Sequence, residues 1–189
     1  MKRFYNLETF PILNIFNVEE IKEELQNSEW YDWPEYNLWN KKGDDWKICP
    51  IFGFNVWCND NKFPKLIGKL KTIPGLRTAT FSRLGPGTTL KAHYGWASLS
   101  NFVLKCQLGI EIPTDGESGL IVENEFRKVC QDQWVIFDDS KLHSGFNHGS
   151  TYRVVLILDI ERPKGVPLGQ SKSKDTKELL QFIDAMKKL

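Results

Sequence analysis

The sequence predicts a mainly β protein, a sandwich or barrel, with helices at its two ends. Three observations lead there. From Leu76 to Leu158 short apolar, β-branched runs recur with Gly, Pro, Asn and Asp turns between them, as serial antiparallel strands require. Seven Trp and twelve Phe in 189 residues suit a β-rich core or an aromatic-lined pocket. Helical periodicity is confined to the regions before and after this strand-rich stretch.

In chain order, 1–16 alternates apolar and polar residues (Phe10, Ile12, Leu13, Ile15) and predicts a short strand. Asn17 precedes Val-Glu-Glu-Ile, an N-cap ahead of acids with Glu20 three residues on. A helix is therefore expected over 18–28, with Ile21 and Leu25 as its apolar stripe. Residues 30–46 carry four of the tryptophans, with Pro34 and Gly43 among them. They read either as a loop capping one end of the core or as a wall facing a substrate. A strand is expected over 49–57, then a short helix from Pro64, with proline at its first position, ending before Pro74-Gly75. Strands follow over 78–84, 89–93, 101–113, 119–123, 125–129, 134–137 and 152–158, and 138–151 reads as a polar turn. Residues 164–174 have the composition of a linker. Leu179, Ile183, Met186 and Leu189 then fall at helical spacing and predict an amphipathic helix packed on its own domain.

Composition excludes several classes. Lys and Arg total 25 against 24 Asp and Glu, a net charge of +1, so no footprint for nucleic acid or an anionic membrane is expected. No apolar run is long enough to span a bilayer, and the basic start lacks the apolar core and cleavage site of a signal peptide. Cys49, Cys58, Cys106 and Cys130 form no Cys-x-x-Cys pair, which predicts free thiols and a cytoplasmic location.

Two histidines stand at strand ends, His93 in Lys-Ala-His-Tyr-Gly and His143 after Phe-Asp-Asp-Ser. One mouth of a barrel would bring them together, either as metal ligands or as structural rim residues. His148, among Asn147, Gly149 and Ser150, reads as an exposed turn residue. The facial triad of non-haem iron sites asks for a carboxylate two residues after the first histidine. Here that position is Gly95. Asp138 and Asp139 precede His143 and suit outer roles, orienting an imidazole or fixing the turn. Arg153 interrupts a valine-rich strand, and a buried guanidinium needs a partner. A protein carboxylate or the carboxylate of a bound small acid would each serve.

Phe81-Ser82, Gly85-Pro86-Gly87, His93-x-Gly95, Leu108-Gly109-Ile110-x-Ile112-Pro113, Phe137-Asp138-Asp139-Ser140 with His143, Arg153 ten residues on, and Asp159-Ile160-x-Arg162-Pro163 together carry a resemblance. The stretch from Thr78 to Pro163 resembles the aspartyl/asparaginyl β-hydroxylase family of Fe(II)- and 2-oxoglutarate-dependent oxygenases. The resemblance implies a double-stranded β-helix (jelly roll, cupin-like) with flanking N-terminal helices and a C-terminal helix. It implies His93 and His143 as the iron ligands, with glycine in place of the usual acid and water in the vacated position. It implies Arg153 and Ser82 at the far carboxylate of 2-oxoglutarate, where a planar guanidinium fork and a hydroxyl suit a carboxylate. The family's Arg-x-His pair is replaced by Lys105-Cys106-Gln107, so Lys105 and Gln107 become the expected nearer contacts of the co-substrate. The expected organisation is a single domain: a helical and aromatic flank (1–75), a catalytic jelly-roll core (76–163), and a linker with a helix (164–189).

The expected activity is hydroxylation of an unactivated carbon using molecular oxygen. The expected substrate is an amino acid, free or within a peptide, with β-hydroxylation of an Asp- or Asn-like group foremost. Arg83, Lys91 and Arg127 are the cations available to meet its carboxylate. An acyl-chain hydroxylase and a two-histidine iron halogenase are related alternatives. A non-catalytic jelly-roll binding module is the alternative from another class.

Overall fold

The computed structural model describes residues 2–26, 28–38, 46–59 and 61–186. Twelve strands are found among them: β1 Phe4–Tyr5, β2 Tyr31–Asp32, β3 Trp46–Gly53, β4 Val56–Trp57, β5 Leu76–Leu84, β6 Thr88–Thr89, β7 Val103–Glu111, β8 Ser118–Val122, β9 Glu125–Lys128, β10 Trp134–Phe137, β11 His143–Asn147 and β12 Arg153–Glu161. Four α-helices accompany them: α1 Val18–Leu25, α2 Pro64–Leu70, α3 Ala97–Ser100 and α4 Lys177–Met186. The strands form two antiparallel sheets. The larger runs β1-β10-β7-β12-β5-β3-β2, with β4 paired to β3, and the smaller runs β6-β11-β8-β9. This is the expected jelly roll, with helices flanking it at both ends.

The period-2 alternation of strand residues divides the larger sheet into two faces. One face carries Cys49 and Ile51 of β3, Ala79 and Phe81 of β5, Cys106 of β7, and Leu156 and Leu158 of β12. All are buried against Leu13 and against α1 and α2 through Ile21, Leu25, Leu66 and Leu70. The opposite face carries Trp46, Ser82, Lys105, Gln107, Arg153 and Asp159, which line a cavity of about 130 Å³ between the sheets. A second apolar cluster (Leu120, Val122, Val135, Phe137, Val155) closes the rest of the space between the sheets.

Local chemistry sets several boundaries. Asn17 Oδ1 accepts from the backbone N–H groups of Glu19 and Glu20, capping α1 as its sequence predicts. Glu20 does not close the box; its carboxylate reaches Lys69 of α2 instead. The strand expected over 1–16 is only Phe4–Tyr5. Leu7–Thr9 and Pro11–Ile15 are 3₁₀ turns, because Pro11 fixes a helical φ and the apolar residues pack on the core from turns. The strand expected over 49–57 is a hairpin. Phe54 and Asn55 both take left-handed φ (52° and 63°) between β3 and β4.

Two further departures shape the site. Residues 138–151 are not all turn: His143–Asn147 form β11 in the small sheet, paired with β6 and β8. Residues 164–174 are not a loose linker. Ser171 is buried and its hydroxyl donates to Gly95 O, while Ala97 N donates to Ser173 O. Polar links of this kind hold the segment across the protein as a strap leading into α4. The predicted helix begins at Lys177, and residues 187–189 lie outside the described set.

Asn147 is fully buried where the sheets meet. Its amide donates to Leu84 O, Gly85 O and Thr151 O, and its oxygen accepts from Ser118 Oγ and Gly149 N. Asn147→Ala leaves buried partners unsatisfied and is expected to destabilise the protein by about 2–4 kcal/mol. Urea unfolding monitored by tryptophan fluorescence measures the loss.

Candidate active site

His93 follows β6 and His143 opens β11. The two backbones form an isolated antiparallel bridge, His93 N to His143 O at 2.9 Å and His143 N to His93 O at 2.8 Å. The rings lie 4.3 Å apart, centroid to centroid. Each ring is oriented in the same way. His93 Nδ1 lies 2.8 Å from Lys91 O, and His143 Nδ1 lies 2.8 Å from Lys141 O. A carbonyl can only accept, so each Nδ1 carries the proton and each Nε2 keeps its lone pair. Burial holds both imidazoles neutral: it lowers the His93 pKa and pushes His143 down to about 4. Two neutral, pre-oriented Nε2 donors side by side fit a divalent metal such as iron. Among the described residues no three His, Cys, Asp or Glu side chains converge as a ready metal cage.

The glycine two residues after His93 has a steric reason. A Cβ at Gly95 would meet Asp139 Oδ2 at 2.0 Å and Ser100 Cβ at 2.7 Å. The space for a side chain at 95 is thus filled by a carboxylate from the His143 turn. Asp139 is buried, and its Oδ1 lies 3.3 Å from His143 Nε2. It therefore faces the lone-pair nitrogen of His143, not the Nδ1 that an orienting partner would hold. Asp138 serves the turn. Its carboxylate accepts from Ser140 N and Oγ and forms a buried ion pair with Arg162.

Lys105 of β7 stands between two acids. Its Nζ is 3.0 Å from Asp139 Oδ1 and 3.7 Å from Asp159 Oδ1. The first contact is an ion pair by distance without hydrogen-bond alignment, so Asp139 Oδ1 retains an unfilled acceptor position. Burial works against charge on all three groups. The two carboxylates nevertheless raise the Lys105 pKa, and Lys105 with the histidines holds Asp139 below its usual value. For Asp159 burial prevails and its pKa rises, although Thr78 Oγ1 donates to its other oxygen.

Arg153 begins β12 and is buried, yet among the described residues no carboxylate meets it. Nη1 donates to Gly119 O and Phe146 O, Nη2 donates to Gln107 Oε1 at 3.3 Å, and Nε has no partner. Burial pushes its pKa down to about 10, which leaves it charged at neutral pH. Ser82 lines the same cavity. Its Oγ accepts from Trp46 Nε1 at 3.0 Å, leaving its own proton to donate. A buried cation held only by neutral acceptors, beside a free hydroxyl donor, fits the far carboxylate of a small diacid.

The structure brings His93, His143, Ser82, Lys105, Gln107 and Arg153 to one cavity. Of the cations offered for a substrate carboxylate, none lines it. Arg83 is sandwiched between Trp30 and Tyr152, Lys91 is exposed, and Arg127 pairs with Glu125 on β9. His148 is exposed, as expected, and stacks on Phe146 at 4.4 Å with a hydrogen bond to Thr89. Of the two readings offered for 30–46, the wall is the one in which Trp33 and Trp46 take part: both line the cavity, Trp33 stacks on Trp46 at 4.3 Å, and Trp96, outside that stretch, extends the stack. Sequence reasoning missed Asp159 as a partner of Lys105. An acid inside an apolar strand was the available signal.

Two substitutions test this arrangement. Gly95→Asp, which would complete a triad on paper, is expected to displace Asp139 and weaken metal binding, measured by Fe(II) titration. Lys105→Met leaves two buried carboxylates without their cation and is expected to cost about 3–5 kcal/mol in denaturant unfolding. That loss shrinks as pH falls, because a proton on either acid removes an unpaired charge.

Comparison with known proteins agrees with this geometry. Residues 16–163 match the family model described as aspartyl/asparaginyl beta-hydroxylase. The chain is 35% identical over 125 residues to the ornithine lipid ester-linked acyl 2-hydroxylase of Rhizobium tropici, covering 65% of this chain and 43% of that one. It is 28% identical over 138 residues to the mouse aspartyl/asparaginyl beta-hydroxylase, covering 72% of this chain and 17% of that one. The chain thus spans less than half the length of these relatives. A 2OG-Fe(II) oxygenase family oxidoreductase from Burkholderia pseudomallei shares the fold, with a TM-score of 0.51 at 10% identity over 84% of this chain and 82% of that one. No described helix is long and apolar enough to cross a membrane. With its family match running from Phe16 to Pro163, through both site histidines and Arg153, the chain belongs to the aspartyl/asparaginyl β-hydroxylase family.

Proposed function

We propose that this protein is an Fe(II)- and 2-oxoglutarate-dependent hydroxylase acting on an unactivated carbon. The observation that carries the reading is Arg153: a buried, charged guanidinium that meets no carboxylate among the described residues, in the same cavity as two imidazoles whose Nε2 atoms keep their lone pairs. In this reading His93 and His143 hold the iron through Nε2. Arg153 and Ser82 receive the far carboxylate of 2-oxoglutarate. Gln107 braces Arg153, and Lys105 offers a donor whose charge Asp139 and Asp159 already balance. When bound, the iron and 2-oxoglutarate supply oxygen activation: one oxygen atom enters the substrate C–H bond, the other enters succinate, and CO2 leaves. Asp139 Oδ1, with its unfilled acceptor position beside His143, would accept a hydrogen bond from a metal-bound water.

Hydroxylation is favoured over halogenation by the same carboxylate. The space left by Gly95 holds Asp139, and an anion there opposes a halide. The family's name points to aspartyl or asparaginyl groups as substrates, and the ornithine-lipid relative's name points to an acyl chain. Both are hydroxylations at carbon and fit the same cofactors.

The test is anaerobic visible spectroscopy of metal-free protein, adding Fe(II) and then 2-oxoglutarate. A charge-transfer band is expected. His93→Ala should abolish it. Arg153→Ala should raise the 2-oxoglutarate needed by roughly 10- to 100-fold, the worth of a charge-assisted pair. A protein that retains no iron and shows no band leaves a jelly-roll binding module instead.

A further inference from the structure

Three indoles from three parts of the chain stack in series. Trp46 opens β3, Trp33 follows β2, and Trp96 precedes α3. Trp46 and Trp33 lie 4.3 Å apart with 10° between their planes, and Trp33 and Trp96 lie 6.0 Å apart with 2° between theirs. Near-parallel rings at such separations present π face to π face. Trp46 is buried, and its ring centroid stands 6.4 Å from that of His93. Trp33 and Trp96 are partly exposed. The series therefore runs from the first site histidine toward the surface.

The three N–H groups meet different surroundings. Trp46 Nε1 donates to Ser82 Oγ, a neutral hydroxyl. Trp33 Nε1 is buried with no partner. A phenylalanine at 33 would avoid the cost of that unpaired N–H, so packing alone does not account for an indole there. Trp96 Nε1 donates to Glu35 Oε1 at 3.0 Å, and this buried carboxylate also accepts from Thr176 Oγ1. An indole that loses an electron becomes a positive ring and a strong N–H acid. A carboxylate beside it attracts the charge and can take the proton, which a hydroxyl or an absent partner does not do. Positive charge placed on Trp46 thus moves downhill through Trp33 to Trp96.

A site that activates oxygen needs an outlet when no substrate C–H bond is in reach, because its own side chains are the next targets. Resting on the hydroxylase reading, we propose that Trp46, Trp33 and Trp96 form an electron-transfer path that discharges the iron site when it turns over without substrate. Trp46 gives one electron to the site and is refilled from Trp33, and Trp33 from Trp96. The Trp96 radical cation passes its Nε1 proton to Glu35. A soluble one-electron reductant, ascorbate or a thiolate, returns the electron to Trp96, and Glu35 returns the proton. Two such passages, with two protons from solvent, reduce the oxygen atom that met no substrate to water.

The test uses the full chain with Fe(II), 2-oxoglutarate and oxygen, without substrate or reductant, and reads where oxygen enters the protein by peptide mass mapping. In the wild type it should accumulate on Trp96, and ascorbate should suppress it. Trp33→Phe interrupts the series, so oxygen should move to Trp46 and His93. Glu35→Gln keeps an acceptor for both hydrogen bonds and removes the charge. The share of oxygen on Trp96 should then fall roughly tenfold in favour of Trp46. Circular dichroism checks the fold of each variant, and the wild-type map with and without ascorbate stands on its own should one fail to fold. Oxygen on Trp46 or His93 with Trp96 clean in the wild type, or a map that neither variant changes, overturns the path. So does an unmodified protein while succinate accumulates. Absence of the charge-transfer band would instead sink the hydroxylase reading, so the two failures separate.

Discussion

Two cations are buried on the same face of one sheet, and the cost of keeping them there organises this protein's site. A buried charge must be matched or it destabilises the fold. Lys105 is matched internally, by Asp139 and Asp159. Among the described residues Arg153 is matched only by three neutral oxygens. One cation is thus balanced by carboxylates and the other by neutral acceptors. The same acid that balances Lys105 fills the space at Gly95 and lies beside His143 Nε2. A single carboxylate therefore links the ion network to the histidine end of the cavity.

The fold makes this affordable by separating faces. Strand alternation sends Phe81, Leu156 and Cys106 to a dry core under α1 and α2, and sends Ser82, Arg153 and Lys105 to the cavity. The small sheet carries His143 and, through one backbone bridge, fixes His93 against it. The buried Asp138–Arg162 pair and Asn147 hold the chain on either side of β11. Neither lines the cavity, yet both set where the histidine ring sits.

Outside the strands, the flanks shape the remaining cavity. Trp33 and Trp46 supply a stacked wall, and α4 supplies an apolar lid held by hydrogen bonds from the strap. These segments meet no cofactor in the proposed arrangement. Variation there would reshape the cavity wall while the histidine end stayed constant, the usual division between a scaffold and its loops.

Much was legible in the sequence. The strand series, the Asn17 cap and α2 followed from local patterns, because propensity and capping act within a few residues. The quoted motifs marked His93, His143, Ser82 and Arg153, and the structure places all four around one cavity. The stretch at 138–151 was harder: His143–Asn147 is polar and glycine-containing, and becomes a strand only because β6 and β8 pair with it. The linker composition of 164–174 likewise concealed a strap whose bonds go to residues about seventy positions away. Which charge neutralises which was decided by tertiary structure alone. Lys105, Asp139 and Asp159 are far apart in sequence or on different strands, and a Coulomb partner is chosen by distance in space. So the sequence by itself determined the family, most of the strand series and the site's donor types. Only the folded sheet decided that Lys105 is balanced by two carboxylates and that Arg153, among the described residues, meets none.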